Sequence, residues 1–315
     1  MKNVLFIAWY WPPSFLPGSQ RVFQFARHLP DFGVQPRVLT GPDAEEVASI
    51  PLVRVGFFPN PAGWFGSKSG APSGPPSAFA RFKSKVLDLV WLNGFVPDAR
   101  IGWRRPAVDA AKTFFEAEKP DLIFSSAPPY TTHLIARDLK QALQCPWVAD
   151  FRDPWLESHV YNRSFRFNRI KKIHARMERE VLQSADVVTC ATDAQKALLG
   201  SKVDPEKIVT ITNGYDPAQW AGDVSLSHRD VFTVSHFGTV YEAGLSYTVF
   251  DVLRALLKER MDMAEKLRVR LIGSLPGTVR SRILECIPDK NLEISPPVPQ
   301  EQILERLRER QLLLL

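Results

Sequence analysis

Short apolar runs alternate with helical stretches along most of this chain, and that alternation admits few folds. Asn3 to Trp9 reads as a buried strand, and Ser19 to Leu29 as a helix that Ser19 can N-cap. Gln35 to Thr40 and Pro51 to Phe57 are further strands. Trp103 to Lys119 is a helix with apolar residues at Val108, Ala111, Phe114 and Phe115. Strands then fall at Asp121 to Ser125, Pro146 to Phe151, Asp186 to Ala191 and Ile208 to Ile211, with helices over Tyr130 to Leu143 and Arg166 to Ser184 among them. Parallel strands covered by helices on both faces are apolar almost throughout, which is the pattern seen. The expectation is an α/β chain built on a doubly wound, Rossmann-like parallel sheet.

A second set begins after the turn-forming Asn213-Gly214-Tyr215-Asp216 and the polar stretch Trp220 to His228. It has strands at Val231 to Phe237, Leu267 to Ile272 and Asn291 to Ile294. Helices lie near Leu245 to Arg260, Thr278 to Ile287 and Gln300 to Arg310. Leu312 to Leu315 reads either as a fourth strand or as a helical turn docked on the core. The expected organisation is therefore a first Rossmann-like domain over residues 1–212, a linker over 213–228 and a second, incomplete one over 229–315. Within the first, Pro59 to Ser77 is mostly Pro, Gly and Ser and is expected to be mobile. It leads into Phe79 to Leu92, where Phe79, Phe82, Val86 and Leu89 share one helical face.

Several function classes lose support. A dinucleotide site needs Gly-x-Gly-x-x-Gly after the first strand, but Trp9 to Pro13 occupies that place and only Gly18 precedes the helix. There is no Asp-x-Asp pair to hold a divalent cation, and no Walker loop, His-Glu-x-x-His or Gly-x-Ser-x-Gly. Neither a metal nor a cofactor is expected. Cys145, Cys190 and Cys286 are few, odd in number and far apart, which argues for a reduced, cytoplasmic protein. No run approaches the roughly 18 apolar residues that cross a bilayer, and Met1 to Ile7 lacks a cleavage site for a signal peptide.

The net charge of +6 is concentrated partly in Arg163 to Lys172, five cations with two phenylalanines. Anionic lipid attracts such a segment by about 1 kcal/mol per cation. Together with the Phe79 to Leu92 stripe it suggests peripheral binding to an anionic membrane surface. The alternative is ordinary core packing and a solvated helix face. No nucleic-acid recognition motif accompanies the charge, so no nucleic-acid partner is expected.

Six motifs in order carry a resemblance. "YWPPSFLPGSQRVFQFARHLPDFGVQPRVLT" (Tyr10 to Thr40), "FSSAPPYTTHLIA" (Phe124 to Ala136) and "PWVADFRDPW" (Pro146 to Trp155) lie in the first half. "ADVVTCAT" (Ala185 to Thr192) and "ITNGYDPAQW" (Ile211 to Trp220) follow, and "HFGTVYEAG" (His236 to Gly244) matches a donor-domain strand end and its glycine turn. In this order they resemble family-4 glycosyltransferases with the GT-B fold, in the subgroup that opens with a Tyr-aromatic-Pro-Pro…Gly-Ser-x-Arg loop. The resemblance implies two facing Rossmann-like domains, a nucleotide-sugar bound mainly by the second, and a sugar or lipid-linked acceptor held by the first. It also implies sugar transfer with retention of configuration and without a metal.

Candidate site residues follow. The first loop lies at the carboxyl end of its strand, where open α/β sheets bind ligands. There the amides of Gly18 and Ser19 at a helix start favour phosphate or developing negative charge. Arg21 can add a charged fork, and Trp11 and Phe15 either offer faces to a sugar or lipid or bury against the domain. Arg152 and Asp153, past another strand, form either an ordinary ion pair or an acceptor contact. Ser126 stands where several relatives carry a histidine, and His133 follows a turn or two later with no assigned role. On the donor side, Gly238 and Thr239 can approach a diphosphate through backbone N–H groups. No cation follows them before Arg254, and the glutamate pair of relatives would fall beyond Leu315, so weak donor binding is expected. The other reading of these departures is a truncated relative acting only as an acceptor- or partner-binding module.

Overall fold

The computed structural model describes residues 1–13, 17–57, 94–158, 168–217, 231–240, 248–298, 300–307 and 312–314. The chain divides into two compact units, Met1–Gly214 and Tyr215–Leu315. The first contains β1 (Lys2–Ile7), α1 (Pro17–His28), β2 (Val34–Thr40), β3 (Leu52–Arg54), α2 (Arg104–Phe114) and β4 (Leu122–Ala127). After these come α3 (Thr131–Leu143), β5 (Trp147–Phe151), α4 (Asn168–Ser184), β6 (Val187–Cys190), α5 (Asp193–Gly200) and β7 (Ile208–Thr210).

All seven strands of this unit are parallel, in the order β3-β2-β1-β4-β5-β6-β7. The chain runs outward from β1 to β3, returns to the far side of β1 as β4, and continues outward to β7. Strand alternation sends successive side chains to opposite faces. Leu5 and Ile7 join Trp103, Val108 and Leu134 in one apolar layer. Val4, Phe6 and Ala8 join Val22 and Ala26 of α1 in the other. The switch of direction between β1 and β4 places the crevice for a ligand outside their carboxyl ends.

The second unit contains β8 (Phe232–Phe237), α6 (Thr248–Glu259), α7 (Met261–Lys266), β9 (Leu267–Ile272), α8 (Gly277–Cys286), β10 (Leu292–Ser295), α9 (Gln300–Leu307) and β11 (Leu312–Leu314). Its parallel sheet has the order β10-β9-β8-β11, over a core that includes Val234, Phe250, Leu257, Val269, Val279 and Ile283. Leu312 pairs with Val234, so Leu312–Leu314 form a strand rather than a helical turn.

Some boundaries differ from the sequence pattern. α1 begins at Pro17, which puts Ser19 inside the first turn, fully buried, instead of at the N-cap. α2 stops at Phe114, whose side chain is 43% exposed while Phe115 is buried. α5 and α7 were not marked by periodicity, being one to two turns long. The stretches Pro59 to Ser77 and Phe79 to Leu92 lie outside the described residues. Of the basic segment, Arg169, Lys171 and Lys172 are described, and they are exposed on α4. No described helix is long and apolar enough to cross a membrane.

Candidate functional site

The carboxyl ends of β1, β4 and β5 converge on Gly18 and Arg152. The backbone N–H of Arg152 continues the β5 ladder by donating to the Ala127 carbonyl, 3.3 Å away. Its side chain then turns back over the end of β4. Nε donates to the same Ala127 carbonyl at 3.2 Å, and Nη2 donates to the Pro128 carbonyl. The guanidinium comes to rest on Gly18, so close that a Cβ there would overlap Nη1. Any side chain at position 18 would have to displace the arginine from this place. Burial pushes the Arg152 pKa down, against the pull of the nearby Asp150 and Asp153 carboxylates.

No ion pair joins Arg152 to Asp153 among the described residues, which removes the ordinary ion-pair alternative. Asp153 is exposed, and the Tyr130 hydroxyl holds its backbone by donating to the Asp153 and Pro154 carbonyls at 3.3 and 3.0 Å. Tyr130 itself stacks on Trp155, with centroids 4.2 Å apart. The described partners of the Arg152 guanidinium are neutral carbonyls, so its positive charge faces the start of α1 with no ion-paired carboxylate among the described residues.

Arg21 and Ser126 do something other than expected. Arg21 is buried, its side chain 4% exposed, and its guanidinium is held by several partners. Nη2 donates to Asp150 Oδ1 at 2.9 Å, and Nε lies 3.2–3.3 Å from both carboxylate oxygens. Nη1 donates to the Thr212 carbonyl and to Asn213 Oδ1. Ser126 and Thr189 complete the set by donating to Asp150 at 2.7 and 2.8 Å. A buried carboxylate is tolerated only when its lone pairs are satisfied in this way. Arg21 and Ser126 are therefore structural partners of Asp150. Trp11 is likewise core: it is buried, its indole N–H donates to the Glu45 carbonyl, and its ring packs edge-on against Phe23.

His133 sits in the core beneath β4 and β5, 4.6 Å from the Phe151 ring. Trp147 Nε1 donates to Ser125 Oγ at 2.7 Å, and the same hydroxyl is hydrogen-bonded to His133 Nδ1 at 2.8 Å. Burial in the core favours the neutral form of this imidazole. Burial, assisted by Arg152, lowers its pKa from 6.5 to about 3, and burial lowers that of His174 to about 4. In the unfolded chain both rings take up protons near 6.5, whereas the folded ones stay neutral to much lower pH. Stability is thus full above pH 6.5 and falls on acidification toward pH 4, by about 1.4 kcal/mol per unit for each histidine. Urea titrations across this window are expected to show about half the slope in His133→Gln; an unchanged slope would contradict the assignment.

In the second unit, Gly238 follows β8 with φ +134°, and its N–H donates to the Ile272 carbonyl at 2.9 Å. That amide is committed within the fold, whereas Thr239, the other expected diphosphate donor, is exposed. Gly273, which no local sequence signal marks, has φ +148°, and a Cβ there would collide with the Gly238 backbone. Gly273→Ala is expected to cost about 1–3 kcal/mol, lowering the urea midpoint of this unit. Gly277→Ala, where an added Cβ meets nothing, is the control. Equal midpoints for the two variants would refute the packing role. No group of three or more His, Cys, Asp or Glu among the described residues is placed to hold a metal ion.

The sequence profile of the glycosyl transferase 4-like domain matches residues 18–214. No curated protein matches the chain in sequence. Among solved structures, HepE from Anabaena in complex with UDP and glucose superposes with a TM-score of 0.59 at 15% identity, covering 99% of this chain and 73% of that one. The catalytic domain of starch synthase IV from Arabidopsis thaliana, bound to ADP and acarbose, gives 0.60 at 13% identity, covering 99% and 77%. Sucrose-phosphate synthase from Thermosynechococcus elongatus gives 0.57 at 12%, covering 99% and 75%. At such identities the likeness establishes the fold, two parallel α/β units of the GT-B type.

Proposed function

Because the chain belongs to the glycosyl transferase 4-like family, we propose that it transfers a sugar from a nucleotide-sugar donor to a sugar or lipid-linked acceptor, in polysaccharide or glycoconjugate assembly. The reaction runs at the cytoplasmic membrane face, retains the anomeric configuration and needs no metal. The observation that carries this reading is the Arg152 guanidinium resting on Gly18 at the start of α1. A helix N-terminus and a cation without a paired carboxylate both favour negative charge at one point. In a site from which water is excluded, fixed donors of this kind stabilise charge that develops during transfer.

Arg152 and the Gly18 amide are assigned to an anionic group of the acceptor or of the reacting centre. The exposed Asp153 carboxylate is assigned to an acceptor hydroxyl, and Thr239 to the donor diphosphate. Gly238 shapes the donor turn. The buried Ser19, Arg21 and Ser126 support this corner from below.

The test is release of nucleoside diphosphate from UDP- and GDP-sugars at millimolar concentration, with and without EDTA, over a panel of sugar and lipid-linked acceptors. The expected result is acceptor-dependent release unaffected by EDTA, with a glycosidic product that NMR shows to have kept the donor's anomeric configuration. An EDTA-sensitive or inverting reaction would contradict the mechanism. Acceptor binding without release from any donor would leave a binding module and refute the transfer.

A further inference from the structure

Thr192-Asp193-Ala194-Gln195 has the spacing of a capping box, in which a glutamine three residues past the N-cap reaches back to the N-cap's own N–H. Half of that motif is present. Thr192 is the N-cap of α5 and its Oγ1 accepts from the Gln195 backbone N–H at 3.2 Å. The Gln195 side chain departs from it. Its Oε1 accepts from the N–H of Ala191, one residue earlier, at 2.9 Å, and its Nε2 donates to the carbonyl of Arg152 at 2.7 Å. Swapping the amide's O and N would set N–H against N–H and oxygen against oxygen, so a single orientation satisfies both partners.

Arg152 and Ala191 each lie one residue beyond Phe151 and Cys190, the last paired residues of β5 and β6. The Gln195 amide thus adds one rung to the β5–β6 ladder after the backbone rungs have ended. Arg152 is then held at every backbone polar group: its N–H by Ala127 of β4, its C=O by Gln195. We propose that Gln195 is a positioning residue that fixes the backbone of Arg152, and so aims its guanidinium at Gly18. The inference rests on the reading of this corner as an anion site. Its sequence signal is the capping box, which explains a Gln there by helix capping alone and so hides the second role.

The test is calorimetric titration of inorganic pyrophosphate into the full chain, in a cycle of Gln195→Met, Arg152→Met and the double variant, with thermal melts alongside. Methionine keeps the length and charge of glutamine while removing both bonds. Gln195→Met is expected to weaken pyrophosphate binding about tenfold in the wild-type background and less than about twofold once Arg152 is methionine, because coupled residues are non-additive. Gln195→Glu keeps the bond from Ala191 but faces the Arg152 carbonyl with an oxygen, and should weaken binding as well. Equal losses in both backgrounds would make Gln195 merely structural and overturn the proposal. So would a loss with Arg152→Met but none with either Gln195 variant. If Arg152→Met leaves pyrophosphate binding unchanged, or the wild-type chain does not bind it, the anion site itself fails and this inference with it.

Discussion

An Asp150→Asn chain is expected to be less stable by about 3–5 kcal/mol, because breaking a buried pair strands the remaining charge. Arg21 would keep its guanidinium in the interior with one neutral amide in place of a carboxylate that now receives Nε and Nη2. Ser126 and Thr189 would lose an acceptor for their hydroxyls. For a unit of this size the loss corresponds to a fall in melting temperature of roughly 10 °C. The comparison is Asp138→Asn, which breaks the Arg104–Asp138 pair, also short but about a third exposed on each side. Exposed pairs contribute about 0–1 kcal/mol, so that variant should melt within roughly 3 °C of the wild type. Thermal denaturation of the two variants decides the matter. Similar losses would show that Asp150 does not organise the interior.

Gly18→Val is expected to separate stability from activity. The added side chain would enter the space of the Arg152 guanidinium, the far end of a flexible chain, which can swing aside at small energetic cost. Swinging aside breaks its bonds to the Ala127 and Pro128 carbonyls and removes the cation from the start of α1. Sugar transfer should fall by about a hundredfold, the size of effect that loss of one well-placed charge-stabilising donor produces. Unfolding free energy should change by about 1 kcal/mol, the usual scale of a point substitution. Nucleoside diphosphate release together with urea midpoints gives both numbers. Unchanged release would remove Gly18 and Arg152 from the active corner.

The strands were legible because a strand buried on both faces is apolar at nearly every position, as Val4 to Ile7 and Ile123 to Phe124 are. The position of the site was legible too, since the loops after β1, β4 and β5 end at the switch point of the sheet. The partners inside it were not. Arg21 and Asp150 are 129 residues apart, and a lone arginine in a first helical turn looks the same whether a phosphate or a buried aspartate awaits it. Trp11 shows the same ambiguity, since an aromatic in a proline-rich loop is equally suited to a ligand and to a core. Gly18 could be read as a helix start, but the space a larger residue there would take is filled by a side chain that arrives from the end of β5. Gly273 carried no local signal at all, because its constraint is the backbone of another loop.

The central claim is that Arg152 supplies a functional cation, and it is tested most directly by comparing nucleoside diphosphate release by the wild-type chain with that by Arg152→Met. Among the described residues the guanidinium has no ion-paired carboxylate to leave stranded, so the substitution should shift the melting temperature by only about 2–4 °C. Acceptor-dependent release should nevertheless fall by about a hundredfold. Equal release by the two proteins, under conditions where the wild type turns over, would contradict the account.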